Sequence, residues 1–199
     1  MTLSLLLSAA LFSFVTSVTP GPNNTMLLAS GVNFGIRRTV PHMFGILFGF
    51  ATMTAGVALG VGKIFESVPA IYYGLKVLAF GYLLYLAWKI ANSGPAKTGD
   101  ASGKPLTFFG ALALQYVNPK AWIVVASYMA SFVPIDAGSL LAVGVCAVFL
   151  VATYPGALIW AISGQVLKGW LSVPSRRRIF NYVAAILLVL SMIPVLFLK

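Results

Sequence analysis

Charged residues are so sparse in this chain that they divide it into long uncharged runs. No Asp, Glu, Lys or Arg occurs within 1–36, 39–62, 105–119, 121–135, 137–167 or 179–198, and Lys76 alone interrupts 67–88. Roughly 20 apolar residues cross a bilayer as a helix. A helix also satisfies its own backbone polar groups where no water is present. With 60% hydrophobic residues, 8% charged residues and a mean hydropathy of +0.97, the chain is excluded from the ordinary soluble domains. It reads as an all-α integral membrane protein with six transmembrane helices, at about 3–32, 40–62, 67–91, 105–133, 137–166 and 178–198.

The net charge of +10 would suggest nucleic acid or an acidic partner in a soluble chain. Its placement gives another meaning and excludes a nucleic-acid partner. Arg37 and Arg38 follow span 1, Lys97 and Lys104 lie between spans 3 and 4, and Lys168 with Arg176, Arg177 and Arg178 lies between spans 5 and 6. The alternate loops hold Lys63 with Glu66, and Asp136 alone. Basic residues gather in cytoplasmic loops, so both termini are predicted to face the periplasm. Arg176–Arg178 also suit contact with anionic membrane lipid. Met1–Ser17 has no Lys or Arg and no small-residue cleavage site, so it reads as a retained span rather than a signal peptide.

A polar segment rich in Gly, Ser, Lys and Pro, 92–104, divides the chain into two groups of three helices, 1–91 and 105–199. Val18-Thr19-Pro20 in the first half matches Val117-Asn118-Pro119 in the second. Three spans carry a chain from one side of the membrane to the other, so a second copy enters inverted. Two inverted three-helix repeats are the predicted layout, a recurrent one in secondary transporters.

Spans 1 and 4 each exceed what a bilayer needs, because thirty residues of helix extend about 45 Å against a hydrocarbon core of about 30 Å. Both contain proline: Thr19-Pro20-Gly21-Pro22-Asn23-Asn24 and Gln115-Tyr116-Val117-Asn118-Pro119-Lys120. Proline removes an amide donor and disrupts the helix before it, so spans 1 and 4 are predicted to be broken. Asn118 suits an N-cap and Pro119 the first position of a new helix; Thr19 and Pro20 offer the same chemistry in span 1. Inverted halves would bring the two restarted helices together with their positive ends converging, a site suited to a carboxylate.

Lys120 would place a cation in a first helical turn at mid-membrane, where it costs about 2.5–3.5 kcal/mol on insertion scales. A substrate carboxylate or an internal acceptor is expected to offset that cost. Lys76 in span 3 raises the same question. His42, near the cytoplasmic end of span 2, titrates in the physiological range when unperturbed and is the second candidate for coupling. One His, one Cys and no acid within a span provide neither a nucleophile–base pair nor a metal site, so an enzyme is not expected. Cys146 is alone, so no disulfide can form within the chain. Gly45 and Gly49 form a GxxxG pair suited to close helix packing, Pro155-Gly156 is expected to bend span 5, and Tyr116, Trp122 and Tyr154 are deep enough to line a cavity.

The motif Thr19-Pro20-Gly21-Pro22-Asn23-Asn24, the run Gly81-Tyr82-Leu83-Leu84-Tyr85-Leu86-Ala87-Trp88-Lys89 and the triplet Asn118-Pro119-Lys120 together resemble the lysine-exporter (LysE/RhtB) family of bacterial amino-acid exporters. The resemblance runs essentially end to end. It implies a proton-driven exporter of amino acids or close derivatives in the inner membrane, with no organic cofactor. Many relatives place an acidic residue in span 2 near a glycine pair like Gly45 and Gly49. Here Phe50 and Ala51 stand there instead.

Without that acid a cationic amino acid would lack a counter-charge. The expected substrates are therefore neutral: homoserine or threonine, leucine-like, or cysteine and O-acetylserine types. Substrate binding is assigned to Thr19, Pro20, Gly21, Pro22, Asn23, Asn24, Gln115, Asn118, Pro119 and Lys120, and coupling to His42 or Lys76. A homodimer is compatible with so small a chain. A non-transporting membrane scaffold and a passive channel for small solutes are the competing readings.

Overall fold

A computed structural model describes residues 2–58, 69–92, 105–133 and 139–190, with the backbone alone for 139–141 and most of 69–82. Among the described residues there are eight helices and no strand: α1 Leu3–Val18, α2 Pro22–Phe34, α3 Ile36–Ala58, α4 Pro69–Ala91, α5 Phe108–Val117, α6 Pro119–Phe132, α7 Ser139–Trp170 and α8 Pro174–Leu190. Ile36–Ala58 and the Ala142–Trp170 part of α7 are each long and apolar enough to cross a membrane. The pair α1 and α2, bent by 60°, makes a third such element. Lys63, Glu66, Asp100, Asp136 and the Lys76 side chain lie outside the described residues, as does most of the 92–104 connector.

Both breaks expected from proline are present, between α1 and α2 and at Asn118 between α5 and α6. The end of α2 differs from expectation. Only Gly35 separates it from α3, so Arg37 and Arg38 sit in the first turn of α3 rather than in a loop. The reason is local: Gly35 has φ 77, a left-handed conformation that costs glycine nothing and reverses the chain in one residue. Its amide still bonds Gly31 O at 3.0 Å, and the Ile36 amide that begins α3 donates to Gln165 Oε1 of α7 at 2.7 Å.

The helices pack across the chain's midpoint. α1 and α2 lie against α7, α3 against α5, and α4 against α8. In lipid such contacts depend on close backbone approach, because hydrocarbon surrounds the helices on every side. Small residues provide that approach. A Cβ at Gly31 would overlap the Ala161 carbonyl oxygen, one at Gly164 the Leu28 carbonyl oxygen, and one at Gly156 the Ser17 hydroxyl. The GxxxG pair behaves as expected: Gly45 faces the Phe108 carbonyl and Gly49 the Gln115 side chain, which seats α3 on α5. Pro155 is accommodated inside the continuous helix α7, and Gly156 serves the contact with α1.

Exposure follows the membrane rather than water. Leu3, Leu7 and Leu11 form an i, i+4 stripe on α1 that is 62–71% exposed, whereas Ala9 and Ser13 on the opposite face are fully buried. Inside, Tyr128 stacks near Phe149 with ring centroids 4.6 Å apart and donates its hydroxyl to Val145 O at 2.7 Å. That contact holds α6 on α7.

Candidate functional site

The break at Asn118 forms as the sequence indicates. Pro119 takes the first helical position, where its missing amide costs nothing, and Asn118 Oδ1 accepts from the Lys120 amide at 3.1 Å. Asn118 O takes the amides of Ala121 and Trp122. Every amide of the first turn of α6 is therefore occupied, and the idea that two sets of bare N–H groups converge is corrected. Asn118 consumes its own helix's donors.

The other break differs in register. Pro22, not Pro20, is the first residue of α2, and Gly21, not Thr19, is its cap. Thr19 closes α1 instead: its amide and hydroxyl both donate to Val15 O, at 3.1 and 2.7 Å. With its hydroxyl turned back to α1, Thr19 does not cap the helix ahead. Gly21 has no side chain to offer, so α2 has no side-chain cap, and among the described residues nothing accepts from the amides of Asn23 and Asn24.

Side chains tie the breaks together. Asn23 Nδ2 donates to Gln115 Oε1 at 2.7 Å, and Gln115 Nε2 donates back to Asn23 Oδ1 at 3.2 Å. Asn118 Nδ2 donates to the same Asn23 oxygen at 3.2 Å. Asn24 Nδ2 reaches Ser17 O and Thr19 O, both at 2.7 Å, filling carbonyls that the break between α1 and α2 leaves without helical partners. Gln115 is fully buried and Asn118 is 2% exposed.

Lys120 finds the internal acceptor expected of it. Its Nζ donates to Thr19 O at 2.5 Å and Pro20 O at 3.1 Å. The charge opposes the dipole of its own helix but sits at the carboxyl end of α1, where the dipole is negative. Gly21 makes this possible, since a Cβ there would lie 2.7 Å from Lys120 Cδ.

These residues border a cavity of about 40 Å³, room for about three water molecules. Gly21, Asn23, Asn24, Asn118 and Lys120 line it, together with Thr16, Ser17 and Thr153 and an apolar wall that includes Leu27, Ile46, Phe50, Val124 and Phe149. Among the described residues, Lys120 is the only charged one of that lining. Thr19, Pro20, Pro22, Gln115 and Pro119 shape the breaks without lining the cavity. Tyr116, Trp122 and Tyr154 do not line it either; Trp122 Nε1 donates to Tyr116 O at 2.8 Å, behind the break. His42 is 1% exposed, lies outside the lining, and has no partner at either ring nitrogen among the described residues. Ile46, Phe50, Phe149 and Thr153, absent from the sequence-derived site, come from α3 and α7. No local motif marks them.

The family described as LysE type translocator matches residues 14–196. The chain belongs to the LysE family. Its similar curated relatives include the cysteine/O-acetylserine efflux proteins of Escherichia coli strain K12, Escherichia coli O9:H4 strain HS and Shigella sonnei strain Ss046. Each is 31% identical over 193 residues, covering 95% of this chain and 96% of the relative. No solved structure matches it. Membership in the LysE family makes the chain a membrane transporter rather than an enzyme, and both breaks and the cavity fall within the matched residues.

Proposed function

We propose that this chain exports small neutral amino acids or close derivatives across the bacterial inner membrane, driven by the proton gradient. The observation that carries the reading is the cavity at the two breaks, lined among the described residues by one cation, several carboxamides and no acid. A zwitterion brings its own negative group to Lys120 and to the uncapped start of α2. A dibasic substrate would find no counter-charge there, because Phe50 rather than an acid stands in the wall. The names of the efflux relatives favour cysteine and O-acetylserine over the other neutral types.

In this reading the substrate carboxylate meets the Lys120 ammonium and the amides of Asn23 and Asn24, and its ammonium group meets Asn24 Oδ1. The halves 1–91 and 105–199 are inverted three-helix repeats of a six-span protein joined by the 92–104 connector, with both termini periplasmic. The crossed packing of α1 on α7 and of α5 on α3, with α4 against α8, supports that symmetry. A cavity of about 40 Å³ is smaller than an amino acid requires, so loading needs the halves to part. Alternating access then moves one unit against the other around the breaks.

Reconstitution into liposomes tests the proposal. Saturable flux of cysteine or O-acetylserine that responds to an imposed pH gradient is the expected result. Flux that never saturates would mark a passive channel, and no flux of any neutral amino acid would refute transport.

A further inference from the structure

Among the described residues, one buried side-chain polar atom of the cavity lining is left unsatisfied by the protein itself. Thr153 on α7 lines the cavity, is 5% exposed, and its Oγ1 has no hydrogen-bond partner among the described residues. A helical threonine or serine commonly turns its hydroxyl back to a carbonyl one turn earlier. Ser13, Thr16, Thr39 and Thr52 all do so here. Thr153 does not, although the helix around it is continuous.

The other hydroxyls of the lining are committed. Thr16 Oγ1 donates to Phe12 O at 2.9 Å and Ser17 Oγ to Phe14 O at 2.7 Å. Around Thr153 the α7 residues of the same wall are Phe149 and Ala157, which offer no side-chain acceptor. A buried hydroxyl without a partner is unfavourable until a ligand or water meets it.

Resting on the export reading above, we infer that Thr153 reads a polar atom on the substrate side chain. The site then prefers small amino acids bearing a thiol, hydroxyl or ester oxygen over apolar ones of equal size. The group that grips the amino-acid head comes from the two breaks, and the group that selects the side chain comes from α7. A hydroxyl both donates and accepts, so it serves a thiol, a hydroxyl and an ester carbonyl alike.

The test uses the full chain in liposomes and compares saturable flux of cysteine, serine and O-acetylserine with that of 2-aminobutyrate, which replaces the cysteine thiol by a methyl group. Wild type is expected to favour cysteine over 2-aminobutyrate about five- to tenfold, the worth of one neutral hydrogen bond. Thr153→Val keeps the shape and removes the hydroxyl; it should bring the ratio near one by lowering cysteine flux alone. Thr153→Ser should preserve the preference. A ratio unchanged in Thr153→Val, or equal loss of both fluxes, overturns the inference in favour of a water-satisfied structural hydroxyl. If Thr153→Val fails to reach the membrane, the wild-type ratio still decides, because a value near one overturns it. Wild type that moves none of the four compounds refutes the export reading itself, a result distinct from any of these.

Discussion

Replacing Lys120 by methionine separates the two roles that the geometry gives this side chain. In the empty protein its Nζ donates to the carbonyls of Thr19 and Pro20, and each such bond from a charged donor is worth about 1.5–3 kcal/mol. Removing the cation also returns the roughly 2.5–3.5 kcal/mol that a mid-membrane charge costs. The two effects nearly cancel, and Lys120→Met should destabilise the protein by only about 0–3 kcal/mol. Substrate binding has no such compensation. Loss of one charge-assisted contact to the carboxylate should weaken Kd by roughly 10- to 150-fold. The assay is a double-mutant cycle in which the second change is made to the ligand: wild type and Lys120→Met are each titrated with the amino acid and with its carboxamide, by thermal unfolding in detergent. Amidation should cost wild type more than the variant, in which only the Asn23 and Asn24 amides still face the carboxylate, giving a coupling of about 1.5–3 kcal/mol. A coupling below about 0.5 kcal/mol, within the error of additivity, would refute a Lys120–carboxylate contact.

Asn118→Ala removes both the cap on Lys120 N and the donor to Asn23 Oδ1, so it should cost about 2 kcal/mol in thermal unfolding, whereas Asn118→Ser should recover about 1 kcal/mol by keeping a cap. Equal losses would show that capping is not what Asn118 contributes. Gly31→Ala drives a methyl into the Ala161 carbonyl and should destabilise by about 1–3 kcal/mol. Gly169→Ala, with nothing nearby, should be neutral or up to about 1 kcal/mol stabilising; the same unfolding measurement checks both. Phe50→Glu places an acid in the cavity wall and should reduce flux of neutral amino acids while admitting lysine. A membrane-inserted variant without lysine flux would refute the placement of Phe50 at the substrate.

What the sequence revealed follows the range over which each cue acts. Asn118-Pro119 was legible to the residue, because a carboxamide acceptor and an N1 proline define a helix start within three positions. Thr19-Pro20-Gly21-Pro22 carries two overlapping versions of the same cue. The choice between them depends on Thr19 turning its hydroxyl back to Val15 and on Lys120 needing the space a side chain at Gly21 would fill. The first is a local back-bond that competes with capping, and the second is settled by tertiary packing. The wall residues Ile46, Phe50, Phe149 and Thr153 stand in apolar runs whose inward faces are fixed only once α3 and α7 meet, so no spacing marks them. His42 was placed at an interface by its position near the end of a hydrophobic run, yet the packing of α3 buries it.

The register at the first break also gives the two halves unequal parts in the proposed carboxylate site. Because Gly21 has no side chain, α2 keeps the amides of Asn23 and Asn24 free of internal acceptors; because Asn118 caps α6, that helix has none to spare but contributes the Lys120 charge instead. Dipole comes from one half and cation from the other. Parting the halves would therefore divide the anion site as well as widen the cavity. In the proposed export reading, that division would couple substrate release to the opening motion.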